Sequence, residues 1–427
     1  YDNSRTRSEA VATRRAALPV VSPVQGAPVP KDDRALLDDL AYRSFVYFAE
    51  ESDPRTGLVL DRAKADGSTD PRSGVASVAA TGFGLSALCV AADRGWVERR
   101  TLVEHARKTL RFLADGVQQE RGWFYHFVNA SDGKRAWGSE ASTIDTALAL
   151  AGVLTVKGCL GSDPEVSSLA SRIYERVDFA WMYDEDTGFI RHGYTPEKGF
   201  LPYEWSDYSE NAMLSLLALG SPSHPLPRRV WDALARPRVD YASHSYVAAA
   251  PPLFTHQFSQ AWFDFRGLQD AAGIDYHQNS VEATLAHRAF CADLAQEFPS
   301  YSGEVWGISA SDRAGGYTAW GGPPRTPDID GTVVPYAAAG SLMFTPELSA
   351  KAVRAIREKH PQSYGRYGFV DAFNPQTGWT DPDSLGIDVG ISLLSAENAR
   401  AGTVWKYFMS NPEAQEALRR AGFRKPG

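Results

Sequence analysis

The sequence has few cysteines, and none of them is spaced like a metal-binding or redox pair. Its 427 residues include only Cys89, Cys159 and Cys291, and no CxxC motif occurs. Each cysteine lies in an apolar segment with helical periodicity, and three cannot all pair within one chain. We therefore expect three buried free thiols.

Clusters of basic residues and long apolar runs are absent too. The formal net charge is −8, and the Lys and Arg side chains are scattered along the chain. Binding to a nucleic-acid backbone needs grouped positive charge, so we expect no nucleic-acid partner. No run approaches the roughly 18 apolar residues of a membrane span, and we expect no membrane partner either.

The N-terminus lacks an initiator Met and a hydrophobic signal core. We interpret residues 1–33 as a flexible N-terminal arm and residues 34–427 as a single domain. An arm of this kind fits a chain from which an export signal has been removed. A periplasmic or secreted location is the resulting expectation.

Several common catalytic motifs do not occur. The sequence has no HExxH, and Gly307 and Ser309 do not complete a GxSxG elbow. Residues 82–87, GFGLSA, match a dinucleotide-binding pattern, but no strand precedes them and the segment has helical periodicity. Metal-dependent, redox and serine-hydrolase chemistry therefore gain no support.

Aromatic residues and helix-period segments are plentiful. The chain has 11 Trp, 18 Tyr and 20 Phe, and many lie in connections rich in Gly and Pro. About twelve helices are predicted, the first beginning near Asp33. Long connections at 116–139, 187–207 and 300–330 alternate with short ones, which favours an all-α toroid of about six helical hairpins with its active site built by loops at one end. The other predicted helices cover 75–94, 99–115, 140–159, 165–182, 208–219, 256–270, 278–297, 333–343, 346–358, 385–399 and 401–420.

The segment 201–211, LPYEWSDYSEN, is the most suggestive stretch for chemistry. It brings Tyr203, Trp205 and Tyr208 together with Glu210, just before the apolar helical run 212–219. Aromatic rings stack on sugar faces, and a partly desolvated carboxyl holds its proton near neutral pH, as a sugar-cleaving site requires. The structural alternative is a helix N-terminus with acids near the dipole and aromatics in the core.

Two further segments combine acids, polar groups and aromatics. Trp137 to Asp145 opens a predicted helix with Ser139 as N-cap, so Glu140 either stabilises the helix dipole or points into a groove. In 254–267 a continuous helix would place His256, Gln260 and Asp264 on one face, with Trp262 and Arg266 on a second line. We interpret this helix as groove-lining, with a buried hydrogen-bond network as the alternative.

Loops in the C-terminal half add candidates. Trp306 and Tyr317 lie in a glycine-hinged aromatic loop that could form a sugar platform or an ordered Ω-like loop. Asp330 is predicted to begin the next helix, Phe373 follows an acid among aromatics, and Asp388 enters an apolar helix.

Taken together, these motifs resemble the glucoamylase-like bacterial glycoside hydrolases, the group that includes endo-β-1,2-glucanases. The resemblance runs from about residue 34 to the end of the chain. The matching segments are ASVAATGFGLSAL (76–88), SEASTIDTAL (139–148), EWSDYSENAM (204–213), LFTHQFSQAWFDFRG (253–267), VWGISASD (305–312), DGTVVPYAAAGSLMFTPE (330–347), YGFVDAFN (367–374) and LGIDVGISLLSAEN (385–398).

The resemblance implies an (α/α)6 barrel without metal or organic cofactor that acts on β-linked glucans by an inverting route. Glu210 is similar to the general acid of the family, Asp388 to its general base, and Glu140 to a third important acid. The expected substrate-binding residues are Trp137, Asp145, Tyr203, Trp205, Tyr208, His256, Gln260, Asp264, Arg266, Trp306, Tyr317, Asp330 and Phe373.

Two departures from the family pattern affect subsite contacts. The sequence has DYHQN at 275–279 where the family has DYFEN, and Val389 where Gln often follows the GID aspartate. We expect a monomer or weak homodimer that hydrolyses β-1,2-glucan or its oligosaccharides. The alternatives are an exo enzyme releasing disaccharide, a retaining hydrolase or transglycosylase with Glu140 as nucleophile, a polysaccharide lyase, and a non-catalytic sugar-binding protein.

Overall fold

The computed structural model of the protein describes residues 16–70 and 74–427, and this part of the chain is mostly helical. Two short 3-10 helices, Ser259–Ala261 and Pro361–Ser363, accompany the α-helices. The α-helices are α1 Asp33–Glu50, α2 Val78–Arg94, α3 Arg99–Asp115, α4 Thr143–Leu160, α5 Pro164–Glu175, α6 Phe179–Met182, α7 Ala212–Gly220, α8 Arg229–Asp232, α9 Phe254–Gln257, α10 Tyr276–Leu294, α11 Pro335–Ala339, α12 Pro346–Lys359, α13 Gly386–Ala401, α14 Thr403–Met409 and α15 Pro412–Ala421.

Short antiparallel strands occupy the long connections. Several of them lead directly into a helix, as β2 leads into α2, β6 into α4 and β20 into α13. The strands are β1 Arg62–Lys64, β2 Val75–Ser77, β3 Gln119–Glu120, β4 Trp123–Phe124, β5 Phe127–Asn129, β6 Ala141–Ser142, β7 Tyr183–Asp184, β8 Phe189–Arg191, β9 Gly193–Thr195, β10 Gly199–Phe200, β11 Glu204–Trp205, β12 Arg238–Tyr241, β13 His244–Val247, β14 Ser311–Arg313, β15 Gly316–Thr318, β16 Tyr364–Gly365, β17 Gly368–Phe369, β18 Phe373–Asn374, β19 Trp379–Thr380 and β20 Asp383–Leu385.

The closest helix packing in the core is between α2 and α4. Gly82 on α2 makes it possible, because a Cβ there would lie 2.1 Å from the carbonyl oxygen of Leu148. On α4, a Cβ at Gly152 would lie 2.1 Å from the carbonyl oxygen of Gly82. The glycines of the GFGLSA segment therefore serve helix packing, and the prediction of a helix over this segment is confirmed.

Further packing extends from this pair on both sides. Helix α13 packs on α2 and on α11, and α7 packs on α4 and on the 3-10 helix 259–261. Gln257 at the end of α9 donates from Nε2 to the carbonyl oxygen of Ala337 on α11 at 2.9 Å. A second set of helices covers these from outside: α1 packs on α13, α3 on α2, α5 on α4, α15 on α7, α10 on α9 and α12 on α11.

Helix α4 begins later than the sequence predicts. Residues 141–142 form strand β6, which pairs with β9, so the helix starts at Thr143. The N-cap is Ser142, whose Oγ accepts from the backbone N–H of Asp145 at 3.2 Å, and the predicted N-cap Ser139 is wrong. Asp145 thus occupies the first turn of α4, as Asp388 occupies the first turn of α13.

Other predicted helices differ from the structure too, and the segment 165–182 is divided between α5 and α6. The segment 256–270 contains only the end of α9 and a 3-10 turn, because Trp262, Phe263 and Phe265 all turn into the core. The segment 401–420 is divided between α14 and α15. Asp330 does not begin a helix, since it accepts from the N–H of Thr332 in a turn and α11 starts only at Pro335.

The expectation of three free thiols is wrong for two of them. Cys89 on α2 and Cys159 on α4 form a disulfide, with their Cα atoms 5.8 Å apart. The close approach of the two helices brings residues 70 positions apart into bonding range, which sequence spacing does not show. Cys291 is free and buried, as predicted.

Part of the predicted arm makes specific contacts with the helical domain. The N–H of Ala17 donates to the carbonyl oxygen of Ala49, and the carbonyl oxygen of Val21 accepts from the hydroxyl of Tyr42 at 2.8 Å each. Leu18 is 2% exposed against the core. Residues 16–32 are therefore bound to the domain, and the remainder of the predicted arm lies outside the described residues.

One helix in the described part of the chain is long and apolar enough to cross a membrane. This is α4, and 83% of it is buried inside the protein, where α2 and α5 pack on it. A core helix meets the same criteria of length and composition, so α4 is weak evidence for a membrane span.

Candidate active site

A cleft of about 710 Å³ lies where several strands lead into α2, α4 and α13. Its walls are positioned by strand pairing, since β1 pairs with β20 and β2 pairs with β5. The side chains and backbone of residues far apart in the sequence thereby meet around one opening. The lining residues are Asp61, Arg62, Ala63, Asp70, Gly74, Val75, Ser77, His126, Phe127, Trp137, Asp145, Tyr317, Asp383, Leu385 and Ile387.

Exposed aromatic rings stand at this cleft. Trp137 is 65% exposed and packs on Phe127, with the two ring centroids 4.8 Å apart. Tyr317 is 52% exposed on the hairpin of β14 and β15. Free aromatic faces at a cleft provide stacking surfaces for sugar rings, and the prediction of both residues as substrate contacts agrees with their position in the lining.

One wall of the cleft carries His126 between two carboxylates. Its Nδ1 lies 3.1 Å from Oε1 of Glu140, and its Nε2 lies 3.4 Å from Oδ1 of Asp145. Burial alone would lower the pKa of His126, but the charges of Asp145 and Glu140 outweigh it and raise this pKa to about 9. Burial alone would raise the pKa of Glu140, but the hydrogen bond and charge of His126 hold it below its usual range.

Glu210 lies beside this wall, two residues before α7. The carbonyl oxygen of Glu210 accepts from Oγ of Ser259 at 2.6 Å, which fixes the backbone where the chain turns into the helix. Burial raises the pKa of the Glu210 carboxyl, and the charge of Asp145 raises it further. Glu210 therefore keeps its proton to a higher pH than an ordinary glutamate, which is the direction that a proton donor needs.

The aromatics of the segment 201–211 take different positions. Trp205 donates from Nε1 to Oγ1 of Thr143 at 3.0 Å, which ties the segment to the start of α4, and its ring stacks on His192 at 3.9 Å. Tyr203 is 64% exposed. Tyr208 is 2% exposed and packs at 4.5 Å on the ring of Tyr276, so the structure places it in the core and corrects its assignment as a sugar contact.

Asp388 lies behind the lining of the cleft, in the first turn of α13. It is 4% exposed, whereas its neighbours Leu385 and Ile387 line the opening. Asp388 and Asp371 face each other, and burial together with this neighbouring carboxyl raises the pKa of Asp388 well above its usual value. Two buried carboxyls in contact cannot both ionise without a large cost, so the pair shares a proton.

Asp371 and Tyr317 connect this pair to the cleft. The Oδ2 atom of Asp371 accepts from the backbone N–H of Asp312 at 2.8 Å, and Asp312 is paired with Arg62 at 2.8 Å. Burial and the neighbouring carboxylates, Asp388 first among them, raise the pKa of the Tyr317 hydroxyl. The base predicted from the resemblance is thus within electrostatic range of a ring that lines the opening.

Two groups of side chains in the described part of the chain have the composition of a metal site. They are His126 with Glu140 and Asp145, and Asp312 with Asp381 and Asp383. In the first group each carboxylate faces a different ring nitrogen of His126. In the second, Arg62 pairs with Asp312 while Lys64 pairs with Asp383 at 2.7 Å. In each group, positive side chains therefore already pair with two of the acids.

Several predicted substrate contacts are buried side chains. Trp306 and Phe373 are fully buried, and Gln260 is 1% exposed and donates from Nε2 to the carbonyl oxygen of Tyr276. His256 is 5% exposed, and burial lowers its pKa to about 4. These residues form the core beneath the loops, because the segment 254–267 folds inward instead of presenting a helical face to the groove.

Three others lie outside the lining of the cleft. Asp264 and Arg266 pair with each other at 2.8 Å, and Arg266 lies over the ring of Trp405 in α14. Helix α14 follows the C-terminal end of α13, about 20 Å from Asp388 at 1.5 Å per residue. Asp330 accepts from Thr332 in its own turn. Their assignment to the substrate cleft is therefore corrected.

The sequence analysis missed several residues of the cleft. Asp61, Arg62 and Asp383 reach it only through the pairing of β1 with β20, which joins segments more than 300 residues apart. His126 has a local signal, because it stands within the aromatic run WFYHF at 123–127, and the ring of Phe127 stacks on it at 3.9 Å.

Comparison with known proteins agrees with this architecture. A model of the family described as "Glycoamylase: Putative glucoamylase" matches residues 202–412. A structure of the same description from Bacteroides caccae is 28% identical, with a TM-score of 0.86 over 92% of this chain and 100% of that one. An endo-β-1,2-glucanase from Chitinophaga pinensis, solved with sophorotriose and glucose, is 26% identical, with a TM-score of 0.85 over 93% and 100% of the two chains.

A curated relative extends the comparison to a named activity. An exo β-1,2-glucooligosaccharide sophorohydrolase from Parabacteroides distasonis is 22% identical over 435 residues, which is 93% of this chain. The chain spans 59% of the length of that relative. Together these matches confirm the resemblance to glucoamylase-like glycoside hydrolases of the β-1,2-glucanase type.

Proposed function

We propose that the protein is a glycoside hydrolase that cleaves β-1,2-linked glucans or their oligosaccharides. The observation that carries this proposal is the pair of carboxyls with raised pKa, Glu210 and Asp388, at the starts of two different helices beside one aromatic-rimmed cleft. The linkage rests on the relatives, since an endo-β-1,2-glucanase and a β-1,2-glucooligosaccharide sophorohydrolase are both similar to this chain.

The fold that supports this function is an (α/α)6 barrel. In this proposal α2, α4, α7, α9 with its 3-10 turn, α11 and α13 form the inner ring. Contacts link each neighbouring pair in that order, from α2 with α4 around to α13 with α2. The outer helices α3, α5, α15, α10, α12 and α1 each pack on one inner helix, which gives six inner–outer pairs.

In the proposed reaction Glu210 donates its proton to the glycosidic oxygen as the bond to the anomeric carbon breaks. A water attacks that carbon from the opposite face, and its proton passes to the Asp371–Asp388 pair. Because Asp388 is 4% exposed, the transfer runs through an intervening water or substrate hydroxyl. The product is a new reducing end with inverted configuration and a shortened glycoside.

A retaining route has one observation in its favour. His126 holds Glu140 as a carboxylate at the cleft, and an ionised carboxylate is what a covalent nucleophile requires. In that route Glu140 attacks the anomeric carbon and Glu210 acts first as acid and then as base. The anomeric configuration of the first product distinguishes the two routes.

The deciding experiment is incubation with linear β-1,2-glucan, with product sizes and anomeric configuration followed by NMR over time. A ladder of inverted oligosaccharides supports an endo-acting inverting enzyme, and a single disaccharide supports an exo enzyme. Retained products favour the Glu140 route. Release of no reducing ends by the folded protein would overturn the proposed substrate.

The proposed location is outside the reducing cytoplasm. The Cys89–Cys159 disulfide supports it, because structural disulfides form and persist in oxidising compartments. Fractionation of cells that produce the protein with its natural upstream sequence would test this, and recovery of the reduced protein in the cytosol would contradict it.

A further inference from the structure

His126 is placed so that both of its ring nitrogens face carboxylate oxygens. Nδ1 lies 3.1 Å from Glu140 and Nε2 lies 3.4 Å from Asp145. The contact with Glu140 is a hydrogen bond, and the contact with Asp145 is an ion pair. With both carboxyls ionised, a neutral imidazole would present a lone pair to one of them, whereas the imidazolium presents an N–H to each. The two contacts therefore favour a positive charge at this position.

The surroundings hold the ring in this orientation. The ring of Phe127 stacks on His126 at 3.9 Å with an interplanar angle of 15°, and Trp137 packs on the other side of Phe127. The backbone N–H of His126 donates to the carbonyl oxygen of Glu140 at 2.9 Å. Rotation of the imidazole would break the stack as well as both ion pairs.

The charges around His126 come from three separate elements. Glu140 precedes β6, Asp145 lies in the first turn of α4, and Asp61 precedes β1. All three are acids that favour the charged ring. His192, which precedes β9, interacts with Glu140 on the other side, and burial keeps its own pKa below the usual value. His126 is thus the positive charge that Glu140 and Asp145 share.

We propose that His126 is a positioning residue that keeps Glu140 ionised and holds Asp145 in line beside it, so that Glu210 rather than Glu140 carries the proton. This proposal rests on the proposed function for its catalytic consequence. His126 holds the pKa of Glu140 down by a hydrogen bond and its charge, whereas burial raises the pKa of Glu210. Which of these two acids keeps its proton therefore follows from which of them contacts the imidazolium.

The first experiment compares His126→Gln with His126→Lys. Gln removes the positive charge, so Glu140 takes up its proton at higher pH, because burial then acts on it without the hydrogen bond and charge of His126. We expect the acidic limb of the kcat/KM profile to move to higher pH and kcat at pH 7 to fall at least tenfold. Lys keeps the charge, so its acidic limb should stay near that of the native protein. His224→Gln, in a surface loop, is the matched control and should keep the native profile.

The second experiment observes His126 without substrate. In protein carrying 13Cε1-labelled histidine, His126→Gln identifies the signal of this one ring among nine. We expect it to remain protonated at pH 8 and to titrate near pH 9, the value to which its pKa is raised. Titration at or below pH 6.5 would overturn the proposal, as would a Gln variant with a native pH profile.

The two experiments separate this proposal from the proposed function. A protein that cleaves no β-1,2-glucan while His126 titrates near pH 9 would refute the substrate and support the ion pairs. A protein that cleaves β-1,2-glucan while His126 titrates at the ordinary value would support the substrate and refute the role of His126. Equal shifts of the acidic limb in the Gln and Lys variants would show that packing of the ring, and not its charge, is what the site requires.

Discussion

Glu210 is the residue on which the proposed chemistry depends most directly. We expect Glu210→Gln to lose 10²–10⁴-fold in kcat, because the amide cannot protonate the leaving oxygen and acid catalysis contributes about that factor. Substrate binding should persist, since the amide keeps the shape of the carboxyl. Initial rates on β-1,2-glucooligosaccharides and the Kd of an oligosaccharide measure the two properties.

Glu204→Gln is the control from the same segment. Glu204 lies in β11, six residues before Glu210, on the strand that pairs with β8. Its rate should stay within about threefold of the native value, in the range of a surface substitution. Native turnover by Glu210→Gln would remove Glu210 from the mechanism.

Individual residues show where sequence analysis succeeds and where it stops. Trp137 was predicted from the segment that opens a helix near residue 140 and Tyr317 from a glycine-hinged loop, and both line the cleft. Tyr208 was predicted from the same aromatic-rich segment as Tyr203, yet the turn into α7 directs it against Tyr276. The composition of a segment identifies its character, but the direction of each side chain depends on a backbone turn that composition does not specify.

At the scale of single elements, periodicity predicted most helices because their buried faces repeat every three or four residues. It failed for 256–270, where Trp262, Phe263 and Phe265 are all buried in consecutive turns. A continuous helix would have pointed some of these rings toward solvent. Burial of all three rings instead requires a 3-10 turn at 259–261 followed by irregular backbone. Local pattern and tertiary packing conflict there, and packing prevails.

The contact between α2 and α4 leads to a stability prediction. We expect Gly82→Ala to destabilise the protein by about 1–3 kcal/mol or more, because its Cβ would lie 2.1 Å from the carbonyl oxygen of Leu148. Backbone atoms of a helix cannot yield as the end of a side chain can. Chemical denaturation followed by circular dichroism measures the loss.

Gly303→Ala is the matched substitution for this test. A Cβ at Gly303 would meet only the end of the Arg288 side chain, at 3.2 Å, and that guanidinium can move. We expect a change within about 0.5 kcal/mol. Equal stabilities of the two variants would mean that α2 and α4 do not approach each other as closely as described.

At the scale of the whole molecule, the disulfide joins two core helices across 70 residues of sequence. We expect its removal in Cys89→Ala/Cys159→Ala to cost about 2–5 kcal/mol, because the unfolded chain regains the freedom of a long loop. Thermal unfolding with and without reductant measures the effect on the native protein. The control Cys291→Ala should show the same decrease of Tm on addition of reductant as the native protein. An unchanged Tm of the native protein in reductant would mean that the disulfide does not form.

The cleft as a whole could not be assembled from the sequence. Arg62 meets Asp312 across 250 positions and Asp383 across the β1–β20 pair, and these contacts exist only once distant segments have packed together. The resemblance supplied Glu210 and Asp388 through matching motifs, but it gave no indication that Asp371 pairs with Asp388. Long-range charge pairing is a property of the folded chain and has no local signal.

The same charges make the stability of the molecule depend on pH. In the folded state the pKa of Asp388 is raised well above the unfolded value, so the folded protein binds more protons between the two values. Its stability therefore falls as pH rises through that window, beginning near pH 4. Asp388→Asn removes this cost, because an amide stays neutral and can donate to Asp371.

We expect the Tm of Asp388→Asn to exceed that of the native protein at pH 8 by about 2 °C or more, although its turnover is lost. At about pH 3 the two proteins should unfold at similar temperatures, since the native carboxyl is then mostly protonated in both states. The variant and the native protein are compared at the same pH, so the contributions of ion-paired acids such as Glu140 to Tm are the same in both and cancel. The control Asp240→Asn, at an exposed position, gives the effect on Tm of losing one surface charge. A Tm below the native value at pH 8 would mean that an ionised Asp388 is held by favourable contacts, and the proton shared with Asp371 would then be excluded.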